Sequence, residues 1–126
     1  MSSNKKVLIT GVGAITPIGH SVNETWQNIR NGKSGIATIT KFDPERVDAK
    51  YAAEVKDFDF SEYADKKLAR RMGVFTQYAV AAATEAWNDA GLKDNAPDPE
   101  RVSVMIGNGI GGTEVDMEGY QILFDR

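Results

Sequence analysis

The chain has 126 residues, a formal net charge of −3, no cysteine and a single histidine, His20. That length suits one domain with its own core and is short for two, so residues 1–126 read as one unit with no internal boundary. The charge argues against nucleic acid as a partner, no run approaches the ~20 apolar residues of a membrane span, and disulfides and thiolate metal sites are excluded. A metal centre would have to be almost all carboxylate, and none is expected. Met1-Ser2-Ser3-Asn4-Lys5-Lys6 lacks the apolar core of a signal peptide, which makes a cytoplasmic protein the expectation.

Lys6-Val7-Leu8-Ile9-Thr10 is a short apolar run ended by Gly11 and Gly13, and reads as a strand buried on both faces, as in a parallel sheet. Pro17 and Gly19 postpone any helix. Ser21-Val22-Asn23-Glu24 then supplies a capping box, Val22, Trp26 and Ile29 recur at helical spacing, and Gly32 offers a left-handed stop. Turns are expected at Ser34-Gly35-Ile36 and Phe42-Asp43-Pro44, and a strand at Tyr51-Ala52-Ala53-Glu54-Val55. Asp57-Phe58-Asp59-Phe60 alternates polar and aromatic residues, the pattern of a half-buried extended piece; the further ligands of a calcium loop are missing.

Residues 65–90 predict helix, with a break near Gly73. The first turns are basic, and the body from Val74 to Trp87 is so apolar that burial on most sides is expected, with Trp26 and Trp87 in the core. Gly91 stops it. A loop leads to Val102-Ser103-Val104-Met105-Ile106, an apolar strand, followed at once by Gly107-Asn108-Gly109-Ile110-Gly111-Gly112 and a helix beginning near Thr113. Strands alternating with helices predict an α/β layer built on parallel strands, and such strands expect cover on both faces.

The four glycines in those six positions satisfy the G-x-G-x-x-G pattern of dinucleotide sites. The following helix, however, opens with Glu114, Asp116 and Glu118, which suit its own dipole and repel a phosphate. A nicotinamide-dependent oxidoreductase is therefore the weaker reading. The glycines either turn the chain or leave bare backbone for a close neighbour, and the three acids read as a solvated helix face.

Val7-Leu8-Ile9-Thr10-Gly11-Val12-Gly13-Ala14-Ile15-Thr16-Pro17-Ile18-Gly19 resembles the opening of the β-ketoacyl-(acyl carrier protein) synthases, condensing enzymes of the thiolase-like fold. Trp26, Gly32-Lys33-Ser34-Gly35-Ile36, Phe42-Asp43, Val55-Lys56-Asp57-Phe58 and the second glycine motif continue the resemblance in order, over essentially the whole chain. Isoleucine inside that motif resembles the type II elongating enzymes. The resemblance implies an α/β thiolase-like fold, incomplete here, and decarboxylative condensation with malonyl-carrier in fatty-acid biosynthesis. In the family a cysteine thiolate takes the acyl chain and two histidines assist decarboxylation. This sequence has no cysteine, and His20 matches neither histidine, so it resembles the N-terminal portion cut before the nucleophile, with no catalytic residue and no activity of its own.

Two sites follow from the resemblance. Gly107, Asn108, Gly109, Ile110, Gly111 and Gly112 correspond to the segment beside the acyl pocket, where the isoleucine gates entry of the chain. Lys67, Arg70 and Arg71, at i, i+3 and i+4 beside Lys66, correspond to the face that docks the acidic acyl carrier protein. Read without the resemblance, that cluster is an ordinary solvated helix start whose charge opposes the helix dipole. No cofactor is implied, because phosphopantetheine arrives on the carrier, and the family implies a homodimer. A non-catalytic synthase-like partner subunit that sets chain length is the other reading the missing cysteine leaves open.

Overall fold

The computed structural model describes residues 6–125. Met1 to Lys5 and Arg126 lie outside the described residues, and with them most of the polar start and both ends of the unit read as residues 1–126. Helix α1 spans Val22–Arg30. Its capping box forms: Ser21 Oγ accepts from the Glu24 amide at 3.1 Å, and the Glu24 carboxylate reaches back to accept from the His20 amide at 2.7 Å. Gly32, at φ 67°, ends it as expected. Gly32 donates to the Ile29 carbonyl and Lys33 to that of Asn28, the paired bonds of a Schellman stop. Ahead of the helix, Thr16 and Gly19 exchange backbone bonds of 2.8 and 3.2 Å around Pro17-Ile18, which is how proline and glycine delay its start.

Strand β1 is Ile36–Thr38 and β2 is Tyr51–Ala53, paired antiparallel with Ala37 opposite Ala52. The strand expected at Tyr51 is present but short. Ile36, read as part of a turn, instead begins its partner, and Asp43 caps a 3₁₀ turn over Pro44–Arg46. The extended piece expected at residues 57–60 is corrected in part. Asp57 takes a left-handed φ of 55° and Asp59 caps a 3₁₀ turn at Phe60–Glu62, yet the alternation survives, with Phe60 buried and both aspartates exposed. Phe58 packs edge-on against Tyr78 at 5.1 Å and His20 at 5.6 Å.

Asp65 caps α2, Lys66–Ala69, by accepting from the Leu68 amide at 2.8 Å. The expected break at Gly73 is present, and α3 runs Val74–Asp89 before stopping at Gly91, φ 69°. Gln77 Nε2 spans the break, donating to the Ala69 and Met72 carbonyls at 3.1 Å each. Because α2 is a single turn, the expected dipole cost of its basic residues has little helix to act on. Helix α4 is Thr113–Phe124, starting where the sequence placed it.

Three further expectations are corrected. Residues 6–10 and 102–106, read as buried strands, form none; Val7 is 94% and Met105 93% exposed. A strand exists by bonding to a neighbour, and among the described residues neither segment has one, so the only sheet is the antiparallel β1–β2 pair and no parallel layer forms. The core placement of the tryptophans is also corrected: Trp26 is 59% and Trp87 37% exposed, and among the described residues the buried apolar ones are Ile39, Phe60 and Ala81. Helix α3, expected to be buried on most sides, is only partly covered, with Ala81 its one buried residue.

Part of that cover is the Gly11-Val12-Gly13-Ala14 loop, whose backbone lies directly on α3. A Cβ on Gly13 would overlap the Ala82 carbonyl oxygen and stand 2.8 Å from the Ala86 nitrogen, and one on Gly11 would stand 2.7 Å from the Ala90 nitrogen. The Glu85 carboxylate accepts from the Ala14 amide at 2.9 Å with one oxygen and from the Val22 amide, an open first-turn donor of α1, at 2.8 Å with the other. Asp89 accepts from the Val12 amide at 2.9 Å. Two acids on one helix thus satisfy amides that a loop without a sheet would leave to water.

Candidate functional site

The second glycine motif sits beside a cleft of about 780 Å³. Phe42 forms one wall, Val74, Phe75 and Tyr78 of α3 the floor, and Ile110, 89% exposed, stands at its edge with Gly111 and Gly112. The glycines divide into two kinds. Gly107 and Gly109 have nothing within 4 Å of where a Cβ would be, whereas a Cβ on Gly111 or Gly112 would stand 2.7 or 2.9 Å from the Phe75 ring. Asn108 turns its side chain toward Gly111, where a Cβ would meet Oδ1 at 2.6 Å. Gly112 takes φ 89°, so the turn into α4 also needs its missing side chain.

The same arrangement bears on the dinucleotide reading. Glu114 and Asp116 occupy the first turn of α4, and the Phe75 ring lies against the bare backbone of Gly111 and Gly112, where a pyrophosphate would have to approach. Both the charge and the space oppose a diphosphate.

Lys67, Arg70 and Arg71 are all exposed. Arg70 is the C-cap of α2 in right-handed geometry, so the three still follow one helical turn. Lys67 and Arg71 line a shallow hollow with Asp65 and Leu68. Arg71 also lines a second hollow, about 290 Å³, that reaches Gly111 and Gly112. The structure therefore brings Arg71, of the three basic residues, to one hollow with the glycine turn, 40 residues apart in sequence by the separation of Arg71 and Gly111. His20 packs against Phe58 and lines neither the cleft nor the two hollows.

Sequence reasoning missed Phe42, Phe75 and Tyr78 as cleft residues. Their signal was available in part, since Phe75 and Tyr78 are spaced i, i+3 and so share a helix face. Phe42 is placed by Glu54, which follows β2: its carboxylate accepts from the Thr40 hydroxyl at 2.7 Å and from the Thr40 and Lys41 amides at 3.2 Å. The Thr40 hydroxyl, followed by those amides, holds the Glu54 carboxyl below the usual carboxylate range. A lowered carboxyl stabilises the fold above the ordinary glutamate value, and that contribution is lost as the pH falls through the lowered one. Thr40→Val is expected to move the Glu54 titration, followed by carboxyl-carbon NMR, back toward the ordinary value; an unchanged midpoint would remove the hydroxyl as its main cause. Burial pushes the Tyr78 hydroxyl up, consistent with its place on the cleft floor.

Comparison with known proteins gives one answer. Residues 4–125 match the family described as beta-ketoacyl synthase, N-terminal domain. The chain is 47% identical over 126 residues to 3-oxoacyl-[acyl-carrier-protein] synthase 2 of Staphylococcus aureus (strain COL), all of this chain and 30% of that protein. It is 43% identical over 122 residues to the protein of that name from Synechocystis sp., 97% of this chain and 29% of that one. The chain thus spans about a third of the length of these relatives. Among solved structures it resembles the ishigamide ketosynthase/chain length factor, with TM-score 0.64 and 41% identity over 71% of this chain and 22% of that one. It also resembles AntDE:AntF (apo), a type II PKS acyl-carrier protein in complex with its ketosynthase bound to the hexaketide, with TM-score 0.70 and 26% identity over 95% of this chain and 33% of that one. The chain belongs to the β-ketoacyl synthase family, as its N-terminal domain.

Proposed function

We propose that this chain is the N-terminal part of a type II 3-oxoacyl-(acyl carrier protein) synthase, a cytoplasmic homodimeric enzyme that lengthens fatty acyl chains by condensation with malonyl-carrier. One observation carries the proposal: 47% identity across all 126 residues to a protein named for that activity. With no cysteine in the chain, the thiolate must come from elsewhere in the polypeptide, and these residues supply binding surface. The uncovered apolar segments at residues 6–10 and 102–106 then belong to a larger thiolase-like α/β sheet completed by the rest of the enzyme. Ile110 and the glycines flank the acyl chain, while Lys67, Arg70 and Arg71 receive an acidic carrier protein whose phosphopantetheine brings the substrate. The hollow shared by Arg71 and the glycine turn supports placing these two roles side by side.

Condensation assays on the complete polypeptide test this. Charge reversal at Arg70 and Arg71 is expected to raise the KM for acyl-carrier roughly tenfold and leave that for a small acyl thioester unchanged, because only the carrier is steered by the field. Equal effects would remove the docking role, and no condensation at all would remove the function. A second reading, a non-catalytic partner subunit, is supported by the likeness to a ketosynthase/chain length factor. It requires a complete coding sequence without the nucleophilic cysteine.

A further inference from the structure

Phe42 sits in a segment fastened on both sides. Beyond the β1–β2 pair the Ile39 amide still donates to the Lys50 carbonyl, at 3.0 Å, and from Thr40 onward the chain leaves the sheet. The two charged residues that flank β2 take over there. Glu54, just after the strand, accepts from the Thr40 hydroxyl at 2.7 Å and from the Thr40 and Lys41 amides at 3.2 Å. Lys50, just before it, donates through Nζ to the Pro44 carbonyl at 2.7 Å and the Glu45 carbonyl at 3.1 Å. Phe42 and Asp43 lie between the two sets of bonds. Lys41 and Phe42 line the cleft beside Ile110, whereas neither Glu54 nor Lys50 does.

We propose that Glu54 and Lys50 are positioning residues for the acyl cleft, holding its Phe42 wall in place by fastening the backbone on either side of that residue. The inference rests on the cleft being the acyl site, and adds which residues outside the cleft control one of its walls. Phe42 is 54% exposed, so little packing holds the ring and its place is set by the backbone that carries it. A wall already in place spares the ligand the ordering of a loose segment, which is how preorganisation adds affinity.

The test is the KM for a saturated acyl thioester in condensation assays on the complete polypeptide, with malonyl-carrier saturating. The variants are Glu54→Ala, Lys50→Met, Phe42→Ala and each of the first two combined with Phe42→Ala, all checked by circular dichroism. Glu54→Ala is expected to raise the KM about fivefold and Lys50→Met about threefold with kcat unchanged, because a wall along the tail binds substrate and transition state alike. In the Phe42→Ala background neither is expected to raise it further, since the wall they hold is gone. A loss through general loosening would be as large in that background as without it, and that result, a fall in kcat alone, or a KM unmoved by Glu54→Ala overturns the positioning role. Where Glu54→Ala does not fold, Glu54→Gln, which keeps one acceptor oxygen, carries the same comparison. No condensation by the unaltered polypeptide, or a KM that Phe42→Ala leaves unchanged, overturns the acyl-cleft reading itself, and this inference with it.

Discussion

Gly13→Ala is expected to cost about 3 kcal/mol of stability or more, at the upper end of what single substitutions do. The added methyl would overlap the Ala82 carbonyl oxygen and press on the Ala86 nitrogen, both backbone atoms of α3. No rotamer change relieves such a clash. Either the loop lifts off the helix, losing the bonds from Ala14 to Glu85 and from Val12 to Asp89, or α3 bends. Gly109→Ala is the control, because a Cβ there meets nothing, and it should stay within about 0.5 kcal/mol of the unaltered chain. Urea unfolding of both variants decides the point; equal midpoints would mean that the loop does not rest on α3.

Glu85→Ala is expected to be nearly as severe, costing about 2 kcal/mol or more. One carboxylate serves two separate backbone donors, and hydrogen bonds to charged groups contribute about 1.5 to 3 kcal/mol each, discounted here for partial exposure. Glu85→Gln keeps a single acceptor oxygen and should lose about half as much. Amide exchange distinguishes this from general loosening: Ala14 and Val22 should lose protection first, with the middle of α3 following only on global unfolding. Uniform loss along the chain would contradict the two-donor role.

The features legible in the sequence are the local ones. Ser21 and Glu24 announce α1 because a cap is satisfied within one turn, and Gly32, Gly73 and Gly91 mark boundaries because each acts on its own backbone. Residues 6–10 and 102–106 stay unpaired among the described residues because apolar β-branched composition states what a segment can do and pairing depends on a neighbour far away in sequence. The candidate site was legible as parts. The resemblance proposes Ile110 and the basic turn as site residues, but nothing in their spacing places Arg71 beside Gly111. Phe75 was invisible as the reason for bare backbone at Gly111 and Gly112, since a glycine records that something approaches and not what.

Titration of the isotopically labelled chain with a saturated acyl thioester, and separately with a dinucleotide, tests most directly the claim that the glycine turn borders a hydrocarbon site. The thioester is expected to shift the amide resonances of Phe42, Phe75, Gly109 and Ile110, with the dinucleotide leaving the spectrum unchanged. Shifts at Thr113 and Glu114 with the dinucleotide, and none with the thioester, would contradict the account.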